Sequence, residues 1–272
     1  MAEIILKNPL REIFYKFVKN PLSLLKYRLN YGREFTDLIH IGTTTYCNLR
    51  CKNCPHSIYD YGLKKNEIKM DEEVFKKLID DLAKIKYSGE IAFCFFNEPF
   101  ADDRFFKFIS YIKERLSKLK GIPVYTNGFL LTLDMYKKAI AAGVSEFTIS
   151  EYETIPKALP EILKYDQEHG KHITFRKFDK SIMENVGGEL KEGNILEKAR
   201  CTYPDNPIMI NPKGEVVLCC NDYHSSIVWG NIKNETLFDI FNKPEFKKFR
   251  KDIKNGKFDL EICKKCRGII KI

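Results

Sequence analysis

Between residues 38 and 178 short apolar runs alternate with segments of helical period, and this alternation constrains the architecture more than any other feature. Residues 38–44, 91–96, 122–126, 146–150 and 172–178 read as strands. Residues 71–85, 102–119, 132–142 and 156–169 read as helices, the last two ended by Gly143 and Gly170. Val74, Leu78, Leu82 and Ile85 recur at helical spacing, whereas 91–96 is apolar without a break, as in a strand covered on both faces. Elements in this order predict an α/β fold, a parallel sheet with helical crossovers, with functional residues on loops at the carboxyl ends of its strands. Five strands are distinct, and a sixth is expected without a definite position.

The flanks differ from this body. Residues 9–31 read as helical with an interruption at Pro21, predicting an N-terminal helical cap over 1–36; Phe14, Tyr15 and Phe17 near basic residues also suit an anionic membrane surface. This alternating body is expected over 37–195, with a boundary in the glycine- and charge-rich stretch 187–198. Over 196–272 the pattern becomes hairpin plus helix. Segments 207–211 and 215–220 flank a turn at Gly214, 236–254 reads as one basic amphipathic helix, and Cys263-Lys-Lys-Cys266 follows.

Composition removes several function classes. The longest apolar stretch, 91–96, is far short of the roughly 20 residues that cross a bilayer. The opening residues show no apolar run with a small-residue cleavage site, so a cytoplasmic location is expected. In a reducing compartment nine cysteines are thiols rather than disulfides, and their clustered spacing points to metal. The net charge of +9 lies at the ends, +4 in residues 1–36 and +6 in 230–272, leaving −1 between them. With no nucleic-acid motif, that excess reads as a lysine-rich surface.

The first cysteine set, Cys47-Asn-Leu-Arg-Cys51-Lys-Asn-Cys54, follows the first strand directly, so three thiolates fall on one short loop. Thiolates suit zinc or iron–sulfur clusters, and three of them on a four-iron cubane leave one iron open to a small molecule. The second set is Cys201-x12-Gly214-x4-Cys219 with Cys263-x2-Cys266. A structural zinc site is the plain alternative for it. Cys94, inside the apolar second strand, reads as a small core residue. Cys220 neighbours Cys219, so the two can exchange roles as a ligand, with the other left as a spare thiol.

The first set resembles the signature of the radical S-adenosylmethionine (SAM) superfamily, with Asn53 where relatives usually carry an aromatic residue. Phe96-Asn97-Glu98-Pro99 is similar to that family's GGEP motif, whose backbone receives the SAM amino group. Thr126 and Asn127 of Thr-Asn-Gly match relatives that hold the ribose, and Ser150 ends the fourth strand; Thr-Asn-Gly is also an ordinary turn. Arg176 suits a planar anion, either the methionine carboxylate of SAM or the substrate. The second set resembles the twitch domain, a shortened SPASM extension. The resemblance implies a partial (β/α)6 parallel barrel, a SAM-binding 4Fe–4S cluster on Cys47, Cys51 and Cys54 and an auxiliary 4Fe–4S cluster on Cys201, Cys219, Cys263 and Cys266.

The resemblance also implies an activity. Reductive cleavage of SAM would yield a 5′-deoxyadenosyl radical that takes a substrate hydrogen, with electrons from a flavodoxin- or ferredoxin-type reductant. One auxiliary cluster in a short chain is most like the aminocyclitol dehydrogenase type found in butirosin biosynthesis, which implies oxidation of a secondary alcohol on a sugar or cyclitol. The same scaffold serves a carbohydrate epimerase, with Cys220 returning the hydrogen, or a maturase of ribosomally made peptides. A non-catalytic electron carrier is the alternative from another class. Alcohol oxidation needs a base, for which Arg176, Tyr152 and His172 are candidates.

Overall fold

In the computed structural model, which describes residues 35–177, 184–191, 193, 195 and 200–271, a single sheet runs through both halves of the chain. The expected N-terminal helix lies outside the described residues. The strands are β1 (Leu38–Ile41), β2 (Glu90–Phe93), β3 (Pro123–Thr126), β4 (Glu146–Glu151), β5 (Ile173–Lys177), β6 (Ile208–Ile210), β7 (Glu215–Val217) and β8 (Val228–Asn231), in the order β5-β4-β3-β2-β1-β6-β7-β8. β1 to β5 pair in parallel, β6 joins β1 in parallel, and β7 and β8 continue antiparallel. The fold is therefore an α/β partial barrel that does not close. Its sixth parallel strand is the first arm of the expected hairpin, with Ile39 opposite Ile208.

Four helices make the crossovers: α1 (Glu72–Lys84), α2 (Phe105–Arg115), α3 (Leu133–Ala142) and α4 (Leu159–His169). Asp71 caps α1 by accepting from the Glu73 N–H, and Thr132 caps α3 by accepting from the Met135 N–H. Gly143 ends α3 in the left-handed region at φ 104°. Phe75 of α1 stacks on Phe108 of α2 at 4.1 Å and lies near Phe93 of β2, sealing helices to sheet. Strand alternation then sorts the side chains. Ile39, Ile41, Val124, Phe147 and Ile149 are buried, while His40, Tyr125, Thr148, Ser150 and Arg176 line a cavity.

Three local readings change. Residues 236–254 form two helices, α5 (Leu237–Asn242) and α6 (Pro244–Lys254), because Pro244 forces Lys243 into an extended conformation. Cys263 and Cys266 sit on a short helix, α7 (Glu261–Cys266), and therefore share one face. β2 stops at Phe93, and the chain then swings out through Phe95 at φ 154°. Cys94 accordingly is not a core residue: it lines the cavity, and its sulfur lies 2.9 Å from His40 Nδ1.

Candidate active site

A cavity of about 430 Å³ opens at the carboxyl ends of the parallel strands. Each of β1 to β5 delivers one predicted residue or more to it. Cys47, Cys51 and Cys54 come after β1, Phe96, Asn97 and Glu98 after β2, and Thr126 and Asn127 at the end of β3. Ser150 comes from β4 and Arg176 from β5, and Cys220 enters from the loop after β7. All the expected SAM-side residues are thus brought to one space.

The cysteine loop is built largely on backbone hydrogen bonds. Cys47 N–H donates to the Gly62 carbonyl at 3.2 Å and Cys54 N–H to the Cys51 carbonyl at 2.9 Å. A single-turn helix, Pro55–Ser57, follows and holds His56 in a buried position. A Cβ on Gly62 would stand 2.3 Å from the His56 ring, so glycine is required there for the loop to close. His56 Nε2 meets the Phe96 carbonyl at 2.9 Å, which can only accept, and so Nε2 carries the proton. Nδ1 then accepts from the Tyr223 hydroxyl at 2.8 Å, linking the loop after β1 to the loops after β2 and β7. Sequence reasoning did not identify His56; its place two residues past Cys54 was the available signal.

Individual thiols have their own neighbours. Asn127 Nδ2 lies 3.8 Å from Cys47 Sγ and donates to Asn48 Oδ1 at 2.9 Å. Cys51 Sγ lies 3.4 Å from the Tyr152 hydroxyl. Burial pushes the Cys47 thiol up to about 12 and the Cys54 thiol up to about 11, and repulsion from a neighbouring cysteine adds to both. Uncompensated, these sulfurs hold protons at neutral pH, and a cluster's positive irons are what would release them.

Glu98 ties two strands together. Its buried carboxylate accepts from the Thr126 hydroxyl at 2.7 Å, the Asn127 N–H at 2.8 Å and the Phe100 N–H at 3.2 Å. Burial raises it to about 7 against the pull of those three donors. Asn97 beside it leaves Oδ1 buried without a hydrogen-bond partner, an acceptor on the cavity wall that a bound group with N–H or O–H donors satisfies. In Glu98→Gln an amide NH2 must take one of the two oxygen positions and face a donor. We expect a loss of ~1–3 kcal/mol, read as a lower denaturation midpoint.

The remaining cysteines separate cleanly. Cys201, Cys219, Cys263 and Cys266 line a second small cavity, about 30 Å³, walled by Leu218, Ile253, Phe258 and Ile262. Cys220, the neighbour of Cys219, faces the large cavity instead. Among the described residues no three His, Cys, Asp or Glu side chains converge on a point as a single ion demands. A four-iron cube spaces its ligand sulfurs more widely, and both thiol sets fit that chemistry. Of the candidate bases, Arg176 and Tyr152 line the large cavity, whereas His172 sits at the amino end of β5 beside Asp166 at 3.3 Å, away from it.

Comparison with known proteins agrees with this layout. Residues 41–178 match the radical SAM superfamily and residues 201–267 match SPASM, an iron–sulfur cluster-binding domain. The chain is 26% identical over 238 residues to an S-adenosyl-L-methionine-dependent 2-deoxy-scyllo-inosamine dehydrogenase of Niallia circulans, covering 85% of this chain and 93% of that one. It is 28% identical over 151 residues to a tungsten-containing aldehyde ferredoxin oxidoreductase cofactor-modifying protein of Pyrococcus furiosus, covering 49% of this chain and 40% of that one. The crystal structure of BtrN in complex with AdoMet and 2-DOIA superimposes with a TM-score of 0.76 at 26% identity, over 85% of this chain and 92% of BtrN. No helix among the described residues is long and apolar enough to cross a membrane. SAM and iron–sulfur clusters are the cofactors of such a chain. With half its length matched, and the matched loops carrying the thiols that converge on the large cavity, the chain is an enzyme of the radical SAM superfamily with a SPASM iron–sulfur domain.

Proposed function

We propose that the enzyme oxidises a secondary alcohol of a sugar or cyclitol to a ketone, passing one electron to an auxiliary 4Fe–4S cluster. One observation carries the reading: Tyr203 and Asn221 line both cavities, so a single layer of side chains separates the substrate space from the second thiol set. A substrate radical formed in the large cavity therefore lies one residue away from an electron acceptor. Similarity to a cyclitol-amine dehydrogenase over most of both chains supports the same choice.

In this reading Cys47, Cys51 and Cys54 hold the SAM-binding cluster, and Cys201, Cys219, Cys263 and Cys266 hold the auxiliary one. Bound SAM, reduced through the first cluster by a flavodoxin- or ferredoxin-type protein, supplies the 5′-deoxyadenosyl radical that takes the substrate hydrogen. The chain's own residues position the reactants. Glu98 fixes Thr126 and Asn127 at the cofactor end, and Asn97 offers a free acceptor. Ser150 and Tyr152 border the first cluster's loop. Arg176 extends into the cavity with no hydrogen-bond or ion-pair partner among the described residues, leaving its donors for carboxylate or hydroxyl oxygens.

Cys220 in the large cavity favours a second reading, epimerisation with Cys220 returning a hydrogen atom. One experiment separates the two. The reconstituted, reduced enzyme is incubated with SAM in D2O and a panel of cyclitols, aminocyclitols and sugars that includes 2-deoxy-scyllo-inosamine. A ketone two mass units lighter than its alcohol, formed with one 5′-deoxyadenosine, is the expected product. An isomeric alcohol that has gained one deuterium would replace dehydrogenation with epimerisation.

A further inference from the structure

Glu184, a residue the sequence motifs do not mark, belongs to the wall between the two cavities. It lines the large one, and its carboxylate accepts from the Tyr203 hydroxyl at 2.7 Å and from Asn221 Nδ2 at 2.7 Å. Asn221 Nδ2 also lies 3.7 Å from Cys266 Sγ. Tyr203 and Asn221 are the two side chains shared with the second cavity. The carboxylate is thus held from behind by two donors, at the layer where the substrate space meets the second thiol set. A carboxylate has about four lone-pair sites, so two remain for a group in the large cavity.

We infer that Glu184 is the catalytic base, taking the hydroxyl proton of the substrate at the same wall through which its electron leaves. The inference rests on the dehydrogenase reading above. When the C–H hydrogen atom leaves to the 5′-carbon, the alcohol becomes a carbon radical that still bears O–H. Transfer of that proton to a Glu184 oxygen breaks the O–H bond, and transfer of one electron to the auxiliary cluster completes the C=O bond. The substrate loses one hydrogen atom, one proton and one electron. The cluster gains the electron and Glu184 the proton. Deprotonation makes the radical a much stronger reductant, so having both acceptors on one wall lets the two losses assist each other. Arg176, also in the cavity, carries a guanidinium that offers five donors and no acceptor.

The test uses the reconstituted enzyme and the alcohol of the panel that the wild-type protein oxidises, deuterated at the carbinol carbon. Glu184→Gln is expected to keep its iron content and to bind that alcohol within about threefold of wild type, by calorimetry on the SAM-loaded, unreduced protein. It should still move deuterium into 5′-deoxyadenosine, yet form at least ~100-fold less ketone per 5′-deoxyadenosine. Glu184→Ala, a second variant, should recover ketone when formate is added. An unchanged ketone ratio in Glu184→Gln overturns the assignment. So does a parallel loss of affinity and deuterium transfer, which would make Glu184 a binding residue, and so does a Glu184→Ala protein indifferent to formate. If the wild-type enzyme makes no ketone from any alcohol of the panel, the dehydrogenase reading itself fails and takes the role of Glu184 with it.

Discussion

Cys54→Ala is expected to lower the iron content from about eight to about four per chain and to reduce 5′-deoxyadenosine formation by at least ~1,000-fold, below detection. The loop itself should survive the substitution. It is closed by the Cys54 N–H to the Cys51 carbonyl, and by the Ser57 N–H and hydroxyl to the Cys54 carbonyl, none of which involves the sulfur. In the proposed reading, what disappears is one of three ligands to a cluster that would already have a corner without a protein thiolate. Cys47 and Cys51 alone would have to hold it, and burial at Cys47 opposes the thiolate form unless irons are present. Iron and sulfide analysis reads the first effect, and chromatography of the reaction mixture reads the second. Full iron content in Cys54→Ala would remove the loop from its assigned place.

The barrel was legible because each of its signals is local. Helical spacing in α1, the Gly143 stop and the unbroken apolar run that contains most of β2 depend on near neighbours alone. The thiol spacings were legible for the same reason. Contacts between distant parts of the chain were less accessible. Nothing near Glu184 shows that it will face Tyr203 and Asn221, which join it only through the fold. Cys94 was misread because an unbroken apolar run does not show which face turns from the core: Cys94 follows Ala92, the register partner of His40, on the same face, and its sulfur meets the His40 ring. The break between α5 and α6 was locally visible at Pro244, but the apolar pattern on either side of it masked the signal. β6 presents a different difficulty: its three residues read correctly as a hairpin arm, and only tertiary pairing with β1 makes it the sixth parallel strand as well.

Adjacent cysteines provide the sharpest contrast available in this chain. Cys219→Ala should bring the iron content down to about four, while Cys220→Ala should leave about eight and keep SAM cleavage intact. Both thiols are pushed up by burial, Cys220 to about 12, so burial does not distinguish them. Direction does, since Cys219 shares the second cavity with Cys201, Cys263 and Cys266, and Cys220 faces the large cavity. The two variants should also differ in how firmly α7 is held. That helix has six residues, none of them buried, and a helix so short is not stable by propensity alone. Among the described residues its polar anchors from neighbouring chain include Asn185 Nδ2 to the Lys265 carbonyl at 3.1 Å and Asn221 Nδ2 to Cys266 Sγ at 3.7 Å. In the dehydrogenase reading two bonds from Cys263 and Cys266 to the auxiliary cluster supply most of the remaining hold. Cys219→Ala should therefore expose Lys264 and Lys265 to trypsin, and Cys220→Ala should leave them protected. Equal protection with equal iron in both variants would mean that the second thiol set does not bind the cluster through Cys219, and the single-layer route for the electron would lose its acceptor.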